Sequence, residues 1–341
     1  DLIEANVAGA LNANLAFSLC PVLNRGAIAA LSRFGARFQQ EVVLPRLVSG
    51  EWTGTMNLTE AQAGSDLGAI RTRAEPLDDH YSITGQKIFI TYGEQDYTSN
   101  IVHLVLARLP DAPSVERKLG LHGSPTCVMS YGEKDIAHGW LIGKENRGLE
   151  AMFVMMNEAR FAVGVEGVAQ CQAALELASR YAHDRVQGRP LDYKGVKPLP
   201  IAAHPDVARL LLRIRSFTEG GRAMSIWIAS LLDRADAHTD AQARTRALSL
   251  SELAVPIFKA WATERSIDAA NMALQIHGGS GYIEETGVAQ ILRDTRVTTI
   301  YEGTTAIQAN DLWSRKILRD GGATMNVLLD EFQGTCHSLL H

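Results

Sequence analysis

Glu302 is the residue in this chain whose surroundings most call for chemistry. It stands in Val297-Thr-Thr-Ile-Tyr-Glu-Gly-Thr-Thr-Ala-Ile-Gln308, where an apolar, β-branched approach ends at Tyr301 and Gly303-Thr304 breaks the run. Such a break holds the carboxylate at a rigid turn. Flanking by Ile300 and Tyr301 strips water from it, and a desolvated carboxyl rises in pKa toward the range of a general base. A plainer reading stays open, in which Thr304 caps a helix and Glu302 simply lies near its N-terminus.

Three glycine-bearing motifs offer further chemistry, each with a structural alternative. Leu58-Thr-Glu-Ala-Gln-Ala-Gly-Ser-Asp66 joins a strand to a loop of hydroxyls, carboxylates and free backbone, suited to a planar polar ring or a phosphate, or simply a side-chain-stabilised surface turn. His277-Gly-Gly-Ser-Gly281 has the look of an oxyanion or phosphate loop, or of a helix stopped by two glycines. A hydrolase does not fit, because neither Ser65 nor Ser280 has the flanking glycines of a nucleophile elbow, and neither a Walker nor a dinucleotide glycine pattern is present. Arg185-Val-Gln-Gly-Arg189 supplies two guanidinium groups able to clamp a pyrophosphate, or two cations that complement a helix C-terminus.

The elements that must position these residues fall into three stretches. Residues 1–50 read as Ala-rich helices broken at Pro21, with Leu11, Leu15 and Leu19 at helical spacing, and look like half a domain in need of a packing partner. Residues 51–145 hold short alternating or β-branched runs, Glu51–Leu58, His80–Thr91, Asn100–Leu109 and Thr126–Tyr131, predicting a mostly antiparallel β-domain. Thr84-Gly85 marks a tight turn or bulge within the second run. Residues 146–341 return to helical period: Met152, Met155, Ala159, Val163, Val168, Cys171, Leu175 and Ala178 trace one long stripe. A proline-rich connector, Pro190–Pro205, precedes helices over Asp206–Asp233 and Ala241–Leu274, which predict an antiparallel bundle. The methionines 152, 155 and 156 read as core filler.

Composition narrows the class. With 341 residues, 46% hydrophobic and 21% charged, the chain has an ordinary globular balance and room for two or three domains. A net charge of −5 without a dense basic run argues against nucleic acid as partner. Cys20, Cys127, Cys171 and Cys336 are far apart and form neither a disulfide framework nor a metal motif, which fits a reducing, cytoplasmic interior and no metal. No apolar run reads as approaching a membrane span. The start at Asp1, without an initiator methionine, suggests a fragment whose N-terminus lies upstream.

Taken in order, these motifs resemble the acyl-CoA dehydrogenase family. The likeness rests on Leu44-Pro-Arg-Leu-Val-Ser-Gly-Glu-Trp52 leading into the Leu58–Asp66 loop, Gly85-Gln-Lys-Ile-Phe-Ile-Thr91, Lys118-Leu-Gly-Leu-His-Gly-Ser-Pro-Thr126, Gly143-Lys-Glu-Asn-Arg-Gly148, Gln275-Ile-His-Gly-Gly279 and Tyr301-Glu-Gly-Thr304. The resemblance implies an α+β fold: a partial N-terminal helical domain, a middle antiparallel β-domain and a C-terminal four-helix bundle, with FAD between the last two. It implies Glu302 as the base removing the α-proton of an acyl-CoA thioester, and flavin N5 as hydride acceptor. Leu58, Thr59, Ser65, Phe89, Thr91 and Thr304 fall at its flavin-contacting positions. Arg185, Gln187, Gln275 and Gly279 fall where the family binds the FAD pyrophosphate and adenosine, often across a homodimer or homotetramer interface. Ser65, Asn157, Arg160 and Gly303 match positions near the acyl-CoA.

An electron-transfer flavoprotein is the implied acceptor; an oxygen-using acyl-CoA oxidase and a truncated, non-catalytic flavin- or CoA-binding relative are the alternatives. Phe89 stands where many members carry tryptophan, Asn157 where aspartate is common, and Ala306 where a glutamine often contacts FAD. These departures look most like the bacterial 3-methylmercaptopropionyl-CoA dehydrogenase-like subgroup.

Overall fold

The computed structural model describes residues 14–64, 66–109 and 124–339. Contacts divide the chain into two units: Ala16–Ala159, and Arg160 onward together with the stretch ending at Leu15. The described part of the first unit opens with α1 (Leu15–Phe34) and, after a π-helical turn over Gln39–Val43, α2 (Leu44–Ser49). These are the helices that lack a core of their own. They find one against the strands that follow, where Ala27, Ala30, Leu31 and Leu47 pack with Leu58, Leu104, Met152 and Met155. The Asn24 amide clamps the join, accepting from the Gly54 N–H at 2.9 Å and donating to the Leu47 carbonyl at 3.0 Å. Helix α1 corrects one expectation: its 20 residues are long and apolar enough to cross a membrane. Half of its apolar window is buried within the protein, as in a core helix.

Six strands follow among the described residues: β1 (Trp52–Asn57), β2 (Arg73–Pro76), β3 (Tyr81–Thr91), β4 (Asn100–Val105), β5 (Thr126–Tyr131) and β6 (Ala137–Gly139). β3 is the long member. Its first half pairs antiparallel with β2 and β6, its second half antiparallel with β5. β1 and β4 form a separate parallel pair, which alternation alone does not reveal. The chain does not turn at Thr84-Gly85. It runs straight on, with Gly85 at φ +141°, a position where a side chain would lie 2.7 Å from the Thr72 backbone. The irregularity comes later, between Lys87 and Ile90, where the register with β5 shifts.

Helix α3 (Gly148–Asp184) starts in the first unit and continues through the second, which adds α4 (Pro205–Ala237), α5 (Ala241–His277), α6 (Val288–Thr295), α7 (Thr305–Asp311) and α8 (Ala323–Leu339). The long helices match the 3.6-residue stripes read from sequence. Phe161, Val165, Val168 and Ala169 of α3 pack on Ile228 of α4 and on Ala254, Phe258 and Ala262 of α5. A second layer, rich in alanine, joins Ala174, Ala178 and Ala182 to Ile214, Ala269 and Ala273. Small residues let α3 and α5 approach closely: a methyl added at Gly167 would lie 2.7 Å from the Ala262 carbonyl carbon. Helix α5 ends at His277 with Gly278 at φ +61°, so His277-Gly-Gly is a helix stop.

Candidate active site

The Glu302 stretch is a turn that runs directly into a helix start. A 3-10 turn over Arg296–Thr299 delivers the chain to Ile300, and Thr304 then caps α7, its hydroxyl accepting from the Ile307 N–H at 3.4 Å. Between them, Glu302 has φ +52° and Gly303 φ +90°. A left-handed residue with a long side chain costs about 1 kcal/mol or more, so something must hold it there. Four hydrogen bonds to its carbonyls do so. Arg160 Nε donates to the Glu302 carbonyl at 3.3 Å and Gln308 Nε2 to the same oxygen at 3.0 Å. Gln308 Nε2 also reaches the Gly303 carbonyl at 3.0 Å, and Lys259 Nζ reaches it at 2.7 Å. Arg160 is itself fixed by an ion pair with Asp311 at 2.9 Å, and the Tyr301 hydroxyl donates to Glu166 Oε2.

The electrostatics follow from this dry setting. Burial pushes the Glu302 carboxyl up to about 7, against the opposing pull of Arg160 and Lys259. Burial likewise raises Glu166 to about 8 and lowers the Lys259 ammonium to about 8. Tyr301 lies well above its ordinary value, through burial and the adjacent Glu166. A carboxyl poised near neutrality at a turn whose backbone is pinned by three side chains can accept a proton without moving.

The first unit carries the second group of expected residues. Lys87, fully buried in β3, donates to the Leu58 carbonyl at 3.0 Å and to Glu60 Oε1 at 2.7 Å, and the Ile88 N–H donates to the Thr59 carbonyl at 2.9 Å. These bonds tie the Leu58–Glu60 loop to β3 beside Phe89. Phe89 has φ +61° at the register shift, and that twist leaves its ring 41% exposed while Ile88 and Ile90 are buried. Thr91 follows two residues on, half-buried. This outward aromatic face, on the strand that the Thr59 carbonyl bonds and two residues before Thr91, could take a planar ring. Glu60 anchors the loop: burial pushes its carboxyl up, but Lys87 and the Thr72 N–H outweigh that and hold it at about 2. Burial lowers Lys87, only partly offset by Glu60. With four donors on its oxygens, the Gln62 amide among them, the carboxylate is the better-served partner and stays ionised.

The remaining expected residues separate clearly. Arg160, Glu302, Gly303 and Thr304 come together at the turn, and Asn157 lies half-buried on the first-unit part of α3. Arg185 and Gln187 are exposed just past the end of α3, and Gln275 and Gly279 are exposed at the end of α5. The Tyr181 and His277 rings stack at 4.3 Å, so these two helix ends lie side by side. Ser65 and most of Lys118–Thr126 lie outside the described residues. Sequence reasoning missed Glu166, Lys259, Gln308 and Asp311. The legible signal was a charge on a buried stripe, as in Gly164-Val-Glu-Gly167, where glycines flank a carboxylate facing α5.

Comparison with known proteins fits this architecture. The family model described as acyl-CoA dehydrogenase, C-terminal domain, matches residues 146–317. The chain is 51% identical to 3-methylmercaptopropionyl-CoA dehydrogenase of Ruegeria pomeroyi, over 92% of this chain and 58% of that protein. It is 34% identical to a butyryl-CoA dehydrogenase of Syntrophomonas wolfei, over 91% of this chain and 57% of that protein. Butyryl-CoA dehydrogenase from Megasphaera elsdenii shares the fold, with a TM-score of 0.74 at 24% identity over 90% of this chain and 79% of that one. The chain therefore belongs to the acyl-CoA dehydrogenase family, and its greatest likeness among these lies in the subgroup to which its sequence departures point. It spans less than two thirds of the length of these curated relatives.

Proposed function

We propose that the protein catalyses FAD-dependent α,β-dehydrogenation of an acyl-CoA thioester to the 2-enoyl-CoA, with Glu302 as the base. The observation that carries this reading is the left-handed, four-bonded turn that presents a carboxyl raised to about 7. Removing a proton α to a thioester needs a fixed base and a donor for the developing enolate oxygen. Glu302 takes the proton, and its backbone N–H polarises the thioester carbonyl. Arg160, Lys259 and Gln308 hold the turn so that neither group shifts during the transfer. Expulsion of water by the bound acyl chain raises the carboxyl further, toward the acidity of the activated α-carbon.

Leu58, Thr59, Phe89 and Thr91 would hold the flavin ring. FAD, when bound there, would supply the acceptor for the hydride leaving the β-carbon. Arg185, Gln187, Gln275 and Gly279 would hold the pyrophosphate and adenosine. That group lies roughly 36 Å along α3 from Arg160, by the rise of a helix, a span that supports a second copy of the chain supplying it. An electron-transfer flavoprotein would serve as the electron acceptor. Anaerobic titration of the FAD-loaded protein with a panel of acyl-CoAs tests the reading: flavin absorbance bleaches in the wild type and not in Glu302→Gln. Bound FAD that no acyl-CoA bleaches in either protein would overturn it, and oxygen uptake on turnover would point to an oxidase.

A further inference from the structure

Glu166 and Lys259 are buried charged side chains that the proton transfer itself does not use. Glu166 has no exposed surface; its Oε2 takes the Tyr301 hydroxyl and its Oε1 has no hydrogen-bond partner. An ionised carboxyl with one oxygen facing no donor would carry an uncompensated charge. The groups around it are already committed. Arg160 pairs with Asp311, which also lies 3.5 Å from Arg315, and Glu264 of α5 takes the Thr305 hydroxyl at 2.7 Å. Lys259 is the cation acting on both Glu166 and Glu302, and its ammonium is anchored on the Gly303 carbonyl of the catalytic turn. Two carboxyls thus draw on one ammonium, and Glu302 alone has the Arg160 guanidinium as well.

We propose that Glu166 is a positioning residue that stays a neutral acid: it anchors the Tyr301 hydroxyl beneath the turn and leaves Lys259 to Glu302, so that Glu302 is the member of the pair that ionises. The proposal rests on Glu302 being the base. The direction of the shifts agrees: burial raises both carboxyls, and at Glu302 alone the Arg160 guanidinium opposes the rise. A neutral acid also explains how a carboxyl can sit beside the base without repelling the charge that Glu302 must carry before it takes a proton.

Infrared difference spectroscopy of the FAD-loaded protein at neutral pH tests this without turnover. A protonated-carboxyl C=O band is expected in Glu302→Gln, where the base itself can contribute none, lost when Glu166→Gln is added to that variant, and shifted in frequency when Tyr301→Phe is added instead, which removes its hydrogen-bond donor. The Tyr301→Phe shift keeps the test decisive if Glu166→Gln does not fold. A band indifferent to both substitutions, or no band, overturns the proposal. In the bleaching assay, Glu166→Gln is expected to keep the acid limb of the rate profile in place, because an amide replaces a neutral acid; a fall of about one pH unit would mean a negative charge had been removed, and would overturn it. Failure of wild-type bleaching with the band intact would count against Glu302 as base, and not against the protonation of Glu166.

Discussion

At the residue scale, Glu60 and Glu166 show how opposite settings treat a buried carboxyl. Glu60 accepts from the Arg71 and Thr72 N–H groups at 2.6 and 2.9 Å and from Lys87 at 2.7 Å. Glu166 has one hydroxyl. Removing one partner of a buried pair strands the other, so Lys87→Met is expected to destabilise the protein by about 3–5 kcal/mol in denaturant unfolding and to loosen the Leu58–Glu60 loop. The loop's role then predicts weaker FAD binding, read by flavin fluorescence. Glu166 works in the other direction with pH. Its folded value lies above its unfolded one, so between about 4.5 and 8 the folded chain holds a proton that the unfolded chain has lost, and stability falls as pH rises through that window. Glu166→Gln removes this dependence; its melting temperature relative to wild type is expected to climb steadily from pH 5 to pH 8. A constant difference would count against the raised value.

At the element scale, the approach of α3 to α5 sets the distance between Glu166 and Lys259. Gly167→Ala would place a methyl 2.7 Å from the Ala262 carbonyl carbon, where only backbone can yield. Overpacking of this kind costs about 1–3 kcal/mol, and it should slow flavin bleaching as well as lower the unfolding midpoint, because both helices feed the turn. Thr304→Ala removes the α7 cap and is expected to cost about 1 kcal/mol. Elements were what the sequence displayed best. The stripes through Met152, Val163 and Cys171 and through the two later helices follow the 3.6 period, and the observed helices differ from the expected ends by a few residues. The parallel β1–β4 pair, the twist at Phe89 and the Arg160–Asp311 and Lys259–Gly303 contacts were hidden, since each joins residues far apart in the chain. Periodicity reports which face is buried and is silent about what waits on the other side.

At the scale of the whole molecule, the two units are built to fail at opposite ends of the pH range. The Glu60 carboxyl is depressed to about 2, so its contribution to the first unit is present above about 4.5 and is lost as pH falls through 2. The second unit weakens toward alkali through Glu166. Hydrogen exchange followed by mass spectrometry should therefore show β3 and the Leu58–Glu60 loop opening first in acid, and α3 and α5 around Glu166 opening first above pH 8; uniform opening at both extremes would contradict this. The left-handed Glu302 has a consequence for anyone evolving this protein. Glycine at that position would relax the backbone and remove a desolvated carboxyl, so Glu302→Gly is expected to be more thermostable and inert. A screen that rewards only survival on heating would drift toward that codon, and heat resistance selected there would be the signature of a lost base.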